Sequence, residues 1–399
     1  MLENMKVLSF THFVQGPAAA QYLADMGADV VKVEPIGGAF ERSYGPDNVY
    51  VEGLSATFLS VNRNVRSLAV DLKHPAAKDV VHTLIRQNDV VLENYRGGVL
   101  DRLGFGYEAV KAIKHDIIYA SASGWGSSGP MAEEPGQDLL IQARCGLIAA
   151  TGNPDQVPTV PGAPIVDQHA AALMAMAITA AYVKKCATGQ GTRIESNLLN
   201  AGLDLQAESI AGYFSGNRTP DRLRRDPRLA SWFLPAPYAA YRLADCFAVI
   251  SLGGEVDKLA QVIGNPRLIE LTADRMANRD EFTHILGEEL VTWTYERLDR
   301  ALRPLGMWYE RVQDFEGIRS DPQIIHNGCL QEVRVGSSKA TVLAHPVRYD
   351  GTIPEYRHLA RTIGCDTQDV LSRAGLSTEA IATLARQGVV KLAQVSEAA

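Results

Sequence analysis

The sequence predicts an α/β protein of two domains, the larger built on a mainly parallel sheet, and three observations lead there. A chain of 399 residues exceeds one ordinary domain. Short β-branched runs alternate with helical patterns through the first third, as βαβ units do. Strand patterning then restarts after a basic, proline-containing stretch, "NRTPDRLRRDPR".

Element by element, "MKVLSF" reads as a strand, followed by helix through "AAAQYLADMGA", and "DVVKVE" and "RSLAVDL" are two further strands. "HPAAKDVVHTLIRQND" is an amphipathic helix, "VVLENY" a strand, "LGFGYEAVKAIKHD" a helix and "IIYASAS" a strand. From Gln137 to Ser215 the pattern is mostly helical and alanine-rich. "YAAYRLADCFAVISLGG" opens the second unit, and "QDVLSRAGLSTEAIATLARQGVV" supplies two short helices near the end. These signals predict a large α/β domain from 1–201 and 344–399, a smaller α+β domain from 227–328, and linkers at 202–226 and 329–343.

A net charge of −7 gives no electrostatic reason to expect a nucleic-acid or membrane-surface partner. An anionic ligand would need a local basic cluster. Five dispersed cysteines read as reduced thiols, and the N-terminus lacks the pattern of a signal peptide, so a cytoplasmic protein is expected. The most apolar run, Ala170–Val183, is too short to span a bilayer and reads as a buried helix.

Gly124, Gly126 and Gly129 spell G-x-G-x-x-G in "SGWGSSGP". A dinucleotide fingerprint belongs in the first βα turn with its third glycine inside a helix. Here Pro130 and Pro135 follow, so the segment reads as an irregular loop, and NAD binding is rejected. No zinc spacing, Walker loop or G-x-S-x-G elbow is present, and no metal is expected. One carboxylate stands out. Asp167 lies where the proline-punctuated "PGAP" enters the long apolar helix. It reads either as an N-cap or as a carboxylate held by the helix dipole for nucleophilic work.

Several motifs, in order along nearly the whole chain, resemble the class III CoA-transferases: "LADMGADVVKVEP", "VNRNVRSLAVDLKHP", "NDVVLENYRGGVLDRLGFGYE", "SGWGSSGP", "PIVDQHAAA", "SDPQ" and "AGLSTEAIATLARQGVV". The resemblance implies that CoA moves from an acyl-CoA to a small carboxylic acid, with Asp167 as nucleophile, through aspartyl anhydride and aspartyl-CoA thioester intermediates. It implies no permanently bound cofactor, since coenzyme A is substrate. It makes Gly253 and Gly254 of "SLGG" candidate oxyanion donors, and places His12, Gln15 and Gln137 near the acyl group. Arg42, Arg63, Arg66, Lys73, Arg96 and Arg102 become candidate partners of the CoA phosphates. The same resemblance implies a Rossmann-like large domain and a ring-shaped chain threaded through its twin in an interlocked homodimer. Arg144, Tyr44 and His12 are candidates for reading a second carboxylate. The related α-methylacyl-CoA racemases place a catalytic histidine where this chain has Gln137, which cannot act as a base. A non-catalytic CoA-binding paralogue is the remaining alternative.

Overall fold

A computed structural model describes residues 1–393. The chain divides into two compact units: Met1–Ile141, Pro164–Leu205 and the chain from Pro322 on form the first, and Gln142–Ala163 with Gln206–Asp321 the second.

The first unit is built on β1 (Lys6–Phe10), β2 (Asp29–Glu34), β3 (Arg66–Val70), β4 (Val90–Glu93), β5 (Ile118–Ser123) and β6 (Thr192–Asn197). They pair in the order β3-β2-β1-β4-β5-β6, all parallel, and Val390–Lys391 adds antiparallel to the outer edge of β3. The strand Thr192–Asn197 falls in the stretch read as helical; its polar, half-exposed sequence "TRIESN" hides an edge strand from hydrophobic pattern.

Successive side chains of a strand face opposite ways, and both faces of this sheet are covered. Leu8, Phe10, Val31, Val33, Val91 and Tyr119 pack on one face against helix α2 (Ala77–Gln87) and α3 (Tyr107–Ile113), together with α5 (Thr367–Arg373) and α6 (Thr378–Arg386). Val7, Val30, Val90, Leu92, Ile118 and Ala120 pack on the other against α1 (Gln15–Asp25) and α4 (Ile165–Thr188). Ala18, Ala19 and Ala20 of α1 and Ala171 and Ala175 of α4 are all buried in that second layer, and such small side chains let the two helices approach closely.

Helix α4 has 24 residues, longer than the apolar run alone suggests, and by length and composition it could cross a membrane. Its buried face, from Val166 through Ala171, Met174 and Ile178, is committed to the packing just described.

The second unit holds a three-stranded antiparallel sheet, with Phe247–Ile250 between Ala239–Arg242 and Tyr309–Arg311. Phe282, Leu286 and Leu290 recur along Arg279–Leu290, and Leu298 and Leu302 along Tyr295–Leu302, so each helix turns one apolar stripe to a shared core with Tyr241 and Trp293.

The expected boundaries shift for physical reasons. Arg225 donates to the carbonyls of Ala150 (2.9 Å) and Thr151 (3.0 Å), which ties 142–163 to the supposed linker 202–226 inside the second unit. The supposed linker 329–343 is a β-hairpin, Leu330–Val335 with Ser338–Leu343, belonging to the first unit. Its Val333, Val335, Ala340 and Val342 alternate into a small core with Leu54, Phe58 and Leu59. That period-2 alternation is visible in "LQEVRVGSSKATVL".

Three of the expected phosphate-binding arginines instead hold this unit together. Arg42 makes a forked pair with Glu34 (2.8 Å on both sides), donates to the carbonyls of Ala360 (2.9 Å) and Arg361 (3.0 Å), and lies 4.1 Å from the Phe58 ring centre. Arg63 pairs with buried Asp25 (2.7 Å), which also accepts from Asn64 (2.8 Å) and faces His345 at 3.1 Å. Arg66 pairs with Asp29 (2.6 Å) and Asp369 (3.0 Å). With their forks filled by carboxylates, these groups have no free geometry for a phosphate. Breaking a buried pair leaves its partner uncompensated. Asp25→Ala should therefore cost about 3–5 kcal/mol, read as a fall in the urea midpoint, whereas Lys73→Ala should leave that midpoint within error.

Candidate active site

The carboxyl ends of parallel strands gather ligands, above all where the strand order reverses, and here that point lies between β1 and β4. Three loops leave the sheet near it. The loops after β1 and β4 are clamped reciprocally: Asn94 accepts from the His12 N–H and donates to the His12 carbonyl, both at 2.9 Å. The loop after β2 joins through Glu41, whose carboxylate accepts the Phe13 N–H (3.2 Å) and pairs with Lys32 in the interior. Lys32 also donates to Asn62 (2.8 Å).

Two side chains expected near the substrate carry buried polar atoms with no partner: His12 at Nδ1 and Gln15 at Nε2. Gln15, at the first position of α1, is 5% exposed, so its amide is desolvated without a hydrogen bond. Such a group costs about 1–3 kcal/mol unless a partner reaches it. Burial pushes the His12 imidazole below its usual range, against the pull of Glu41, so it is neutral at pH 7. Sequence reasoning missed Glu93. At the end of β4, its carboxyl is pushed up to about 7 by burial, against hydrogen bonds from Ser121 and the Tyr95 N–H. The signal was available: an acid closing an apolar parallel strand.

Helix α4 reaches the same edge. Lys185 near its end pairs with Asp89 (2.9 Å) and Asp116 (3.1 Å), which lie just ahead of β4 and β5 at the amino edge of the sheet. A 24-residue helix is about 36 Å long, so its first turn lies beyond the opposite, carboxyl edge. There the loop after β5 supplies its cap. Asp138 accepts the N–H groups of Val166 (2.8 Å) and Asp167 (3.0 Å) through one oxygen, while Pro164, at the cap position, offers no side-chain bond.

Asp167 therefore stands at the third position of the helix and is not its own cap. Its half-buried carboxyl is pushed up to about 7, mainly by burial and secondly by the Asp138 charge. The glycines of the β5 loop have a matching explanation. Gly124 and Gly136 press backbone to backbone, and a Cβ on Gly124 would lie 2.5 Å from the Gly136 Cα. That contact closes the loop from which Asp138 emerges.

Lys73, Arg96 and Arg102 are exposed and pair with no carboxylate among the described residues. Arg96 acts electrostatically on His12. Gln137 is exposed beside Asp138. In the second unit, Gly253 has the Trp308 indole where its Cβ would be (2.1 Å), and Gly254 has a left-handed φ of +89°. Both glycines are thus required by their own loop. Their N–H groups take no acceptor among the described residues.

A family model, CoA-transferase family III, matches residues 2–367. Succinyl-CoA:glutarate CoA-transferase of Mus musculus is 32% identical over 87% of this chain and 80% of its own. Acetyl-CoA:oxalate CoA-transferase of Acetobacter aceti is 34% identical over 72% and 74%. The crystal structure of a CAIB/BAIF family protein from Brucella suis superposes with a TM-score of 0.78 at 28% identity, covering 93% of this chain and 98% of that one.

The raised carboxyl of Asp167 sets the sign of two predictions. If transfer requires the ionised Asp167 carboxylate, kcat/KM for the acyl donor should fall below about pH 7, approaching tenfold per pH unit. Asp138→Asn, which keeps an acceptor oxygen but removes the charge, should move that inflection to lower pH. An unmoved inflection would sink the Asp138 coupling. The raised pKa means the folded state holds this proton more tightly than the unfolded chain. Stability is thus lost as pH rises through the interval from about 4 to about 7. Asp167→Asn should accordingly raise the melting temperature at pH 8.

Proposed function

Because the chain belongs to CoA-transferase family III and is an enzyme of CoA transfer, we propose that Asp167 is its nucleophile and that it works through covalent aspartyl intermediates. The observation that carries the proposal is a helix-terminal carboxylate, released from capping by Asp138 and raised to about 7. Such a group is more basic than an ordinary carboxylate and still about half ionised near neutrality.

In the first step an Asp167 oxygen attacks the donor thioester carbonyl. The C–S bond breaks, releasing CoA thiolate and leaving a mixed anhydride. The thiolate then attacks the Asp167 carbonyl, the donor leaves as a free carboxylate, and an aspartyl-CoA thioester remains. The acceptor carboxylate attacks this thioester and expels the thiolate, which takes the acceptor acyl group from the second anhydride and restores Asp167. A carboxylate suits every step because anhydride and thioester interconvert without a proton entering the bond that breaks. Water must be kept out throughout.

His12 and Gln15, with their unpartnered atoms, would orient the acyl carbonyl, with Gln137 at the same edge. The N–H groups of Gly253 and Gly254 would receive the oxyanion, and Lys73, Arg96 and Arg102 the CoA phosphates. Arg42, Arg63 and Arg66 drop out of that set. The rest of the reading is a Rossmann-like domain, a ring-shaped chain interlocked with a second copy, a small carboxylate as acceptor, and a cytoplasmic enzyme without nucleic-acid or membrane partners.

The decisive experiment incubates the enzyme with a panel of acyl-CoAs and hydroxylamine, then maps peptides by mass spectrometry. A hydroxamate on the Asp167 peptide is expected. Absence of that adduct together with solvent deuterium entering an acyl α-carbon would replace transfer with racemisation.

A further inference from the structure

Five aromatic rings run in sequence across the carboxyl edge of the sheet. Tyr95 and His12 lie 5.2 Å apart between centroids, His12 and Phe13 5.1 Å, Phe13 and Phe40 4.7 Å, and Phe40 and Tyr44 5.3 Å. They come from the loops after β4, β1 and β2, so no single stretch of chain makes the row. The inner end is half-buried, while Phe13, Phe40 and Tyr44 are 47%, 49% and 53% exposed. Three large rings facing water side by side are a contiguous apolar surface rather than scattered exposure.

The chain is strained to make this row. Phe13 has φ of +61°, left-handed backbone that a bulky residue rarely adopts and that costs about 1–3 kcal/mol. It is held by the Glu41 carboxylate, itself fully buried against Lys32. The row itself carries the unpartnered His12 Nδ1, and two residues after Phe13 in the chain stands Gln15, 5% exposed, with its Nε2 unpartnered. Polar atoms awaiting a partner thus adjoin an apolar wall awaiting cover.

Charge narrows the occupant. Lys32 is sealed against Glu41 and Arg42 against Glu34, and burial keeps His12 neutral. Arg96, which pairs with no carboxylate among the described residues, lies next to Tyr95 at the inner end. Among the described residues no cation stacks on the outer rings Phe13, Phe40 and Tyr44, so the row is poorly made to read a distal carboxylate. It is well made for a flat, uncharged ring or conjugated chain lying along it, stacked offset or edge-on.

We propose that Phe13, Phe40 and Tyr44 form the acyl subsite, and that the acyl group this enzyme prefers is a planar aromatic or conjugated one rather than a short dicarboxylate. The proposal rests on the reading of Asp167 as the acyl-accepting group. It assigns Tyr44 to stacking instead of carboxylate recognition.

Binding tests it independently of turnover. With Asp167→Asn protein and calorimetry, cinnamoyl-CoA should bind at least tenfold tighter than succinyl-CoA. Adding Phe40→Ala or Tyr44→Ala should shrink that ratio about 3–10-fold, as loss of an aromatic contact would. Equal binding of the two thioesters overturns the proposal. So does an equal loss for both in the ring variants that vanishes with cinnamoyl-pantetheine, which would put the adenine on the row. A ring variant that converts a dimer to monomer overturns it too, because a second copy then covers the row. Hydroxamate trapping on wild-type enzyme separates the two claims: no adduct from any donor defeats the nucleophile, not the subsite.

Discussion

Two N–H groups at the start of a long helix need an acceptor, and one oxygen of Asp138 supplies it to both. Helix starts are ordinarily capped by a neighbour in sequence. Here the cap comes from 28 residues upstream in the chain, out of the loop that leaves β5. Two consequences follow from that single arrangement. Asp167 keeps both its oxygens out of the cap. A second carboxylate stands close enough to oppose its ionisation, while the helix terminus favours it.

The rest of the edge is organised to hold that first turn in place. Lys185 fixes the far end of α4 to the amino side of the sheet, and the alanine-lined contact with α1 fixes its height. The loop that carries Asp138 is pinched shut where Gly124 meets Gly136. The buried pairs Arg42–Glu34, Arg63–Asp25 and Lys32–Glu41 do comparable work around β2 and β3. Arg42 and Asn64 reach the returning chain at 355–361 and fasten it to the N-terminal half. Buried ion pairs give little net stability but a large penalty for misplacement, which suits a scaffold that must be unique.

Against this frame several groups are left unsatisfied. The Gln15 amide, the His12 ring nitrogen, the raised carboxyls of Asp167 and Glu93 and the strained Phe13 all cost stability, and they lie on the carboxyl side of one sheet. Buried polar atoms lack partners elsewhere too, at His82, Thr283 and Tyr356, but among the described residues the two raised carboxyls both stand at this edge.

The alternation of apolar runs by itself determined the parallel strands β1 to β5 and their helices, because period-2 and period-3.6 burial are local properties. The acid at the head of the apolar helix singled out Asp167 for the same reason. The polar edge strand β6 and the hairpin at 330–343 escaped, the first for want of an apolar signal. Only tertiary structure decided what each charge does. Arg63 and Arg102 are chemically alike in sequence, yet Asp25 occupies one and no carboxylate among the described residues pairs with the other. Whether Asp167 caps its own helix depended on an oxygen 29 residues away, and the aromatic row on three loops meeting at one edge. Pairing and desolvation are properties of neighbours in space, and sequence order does not hold them.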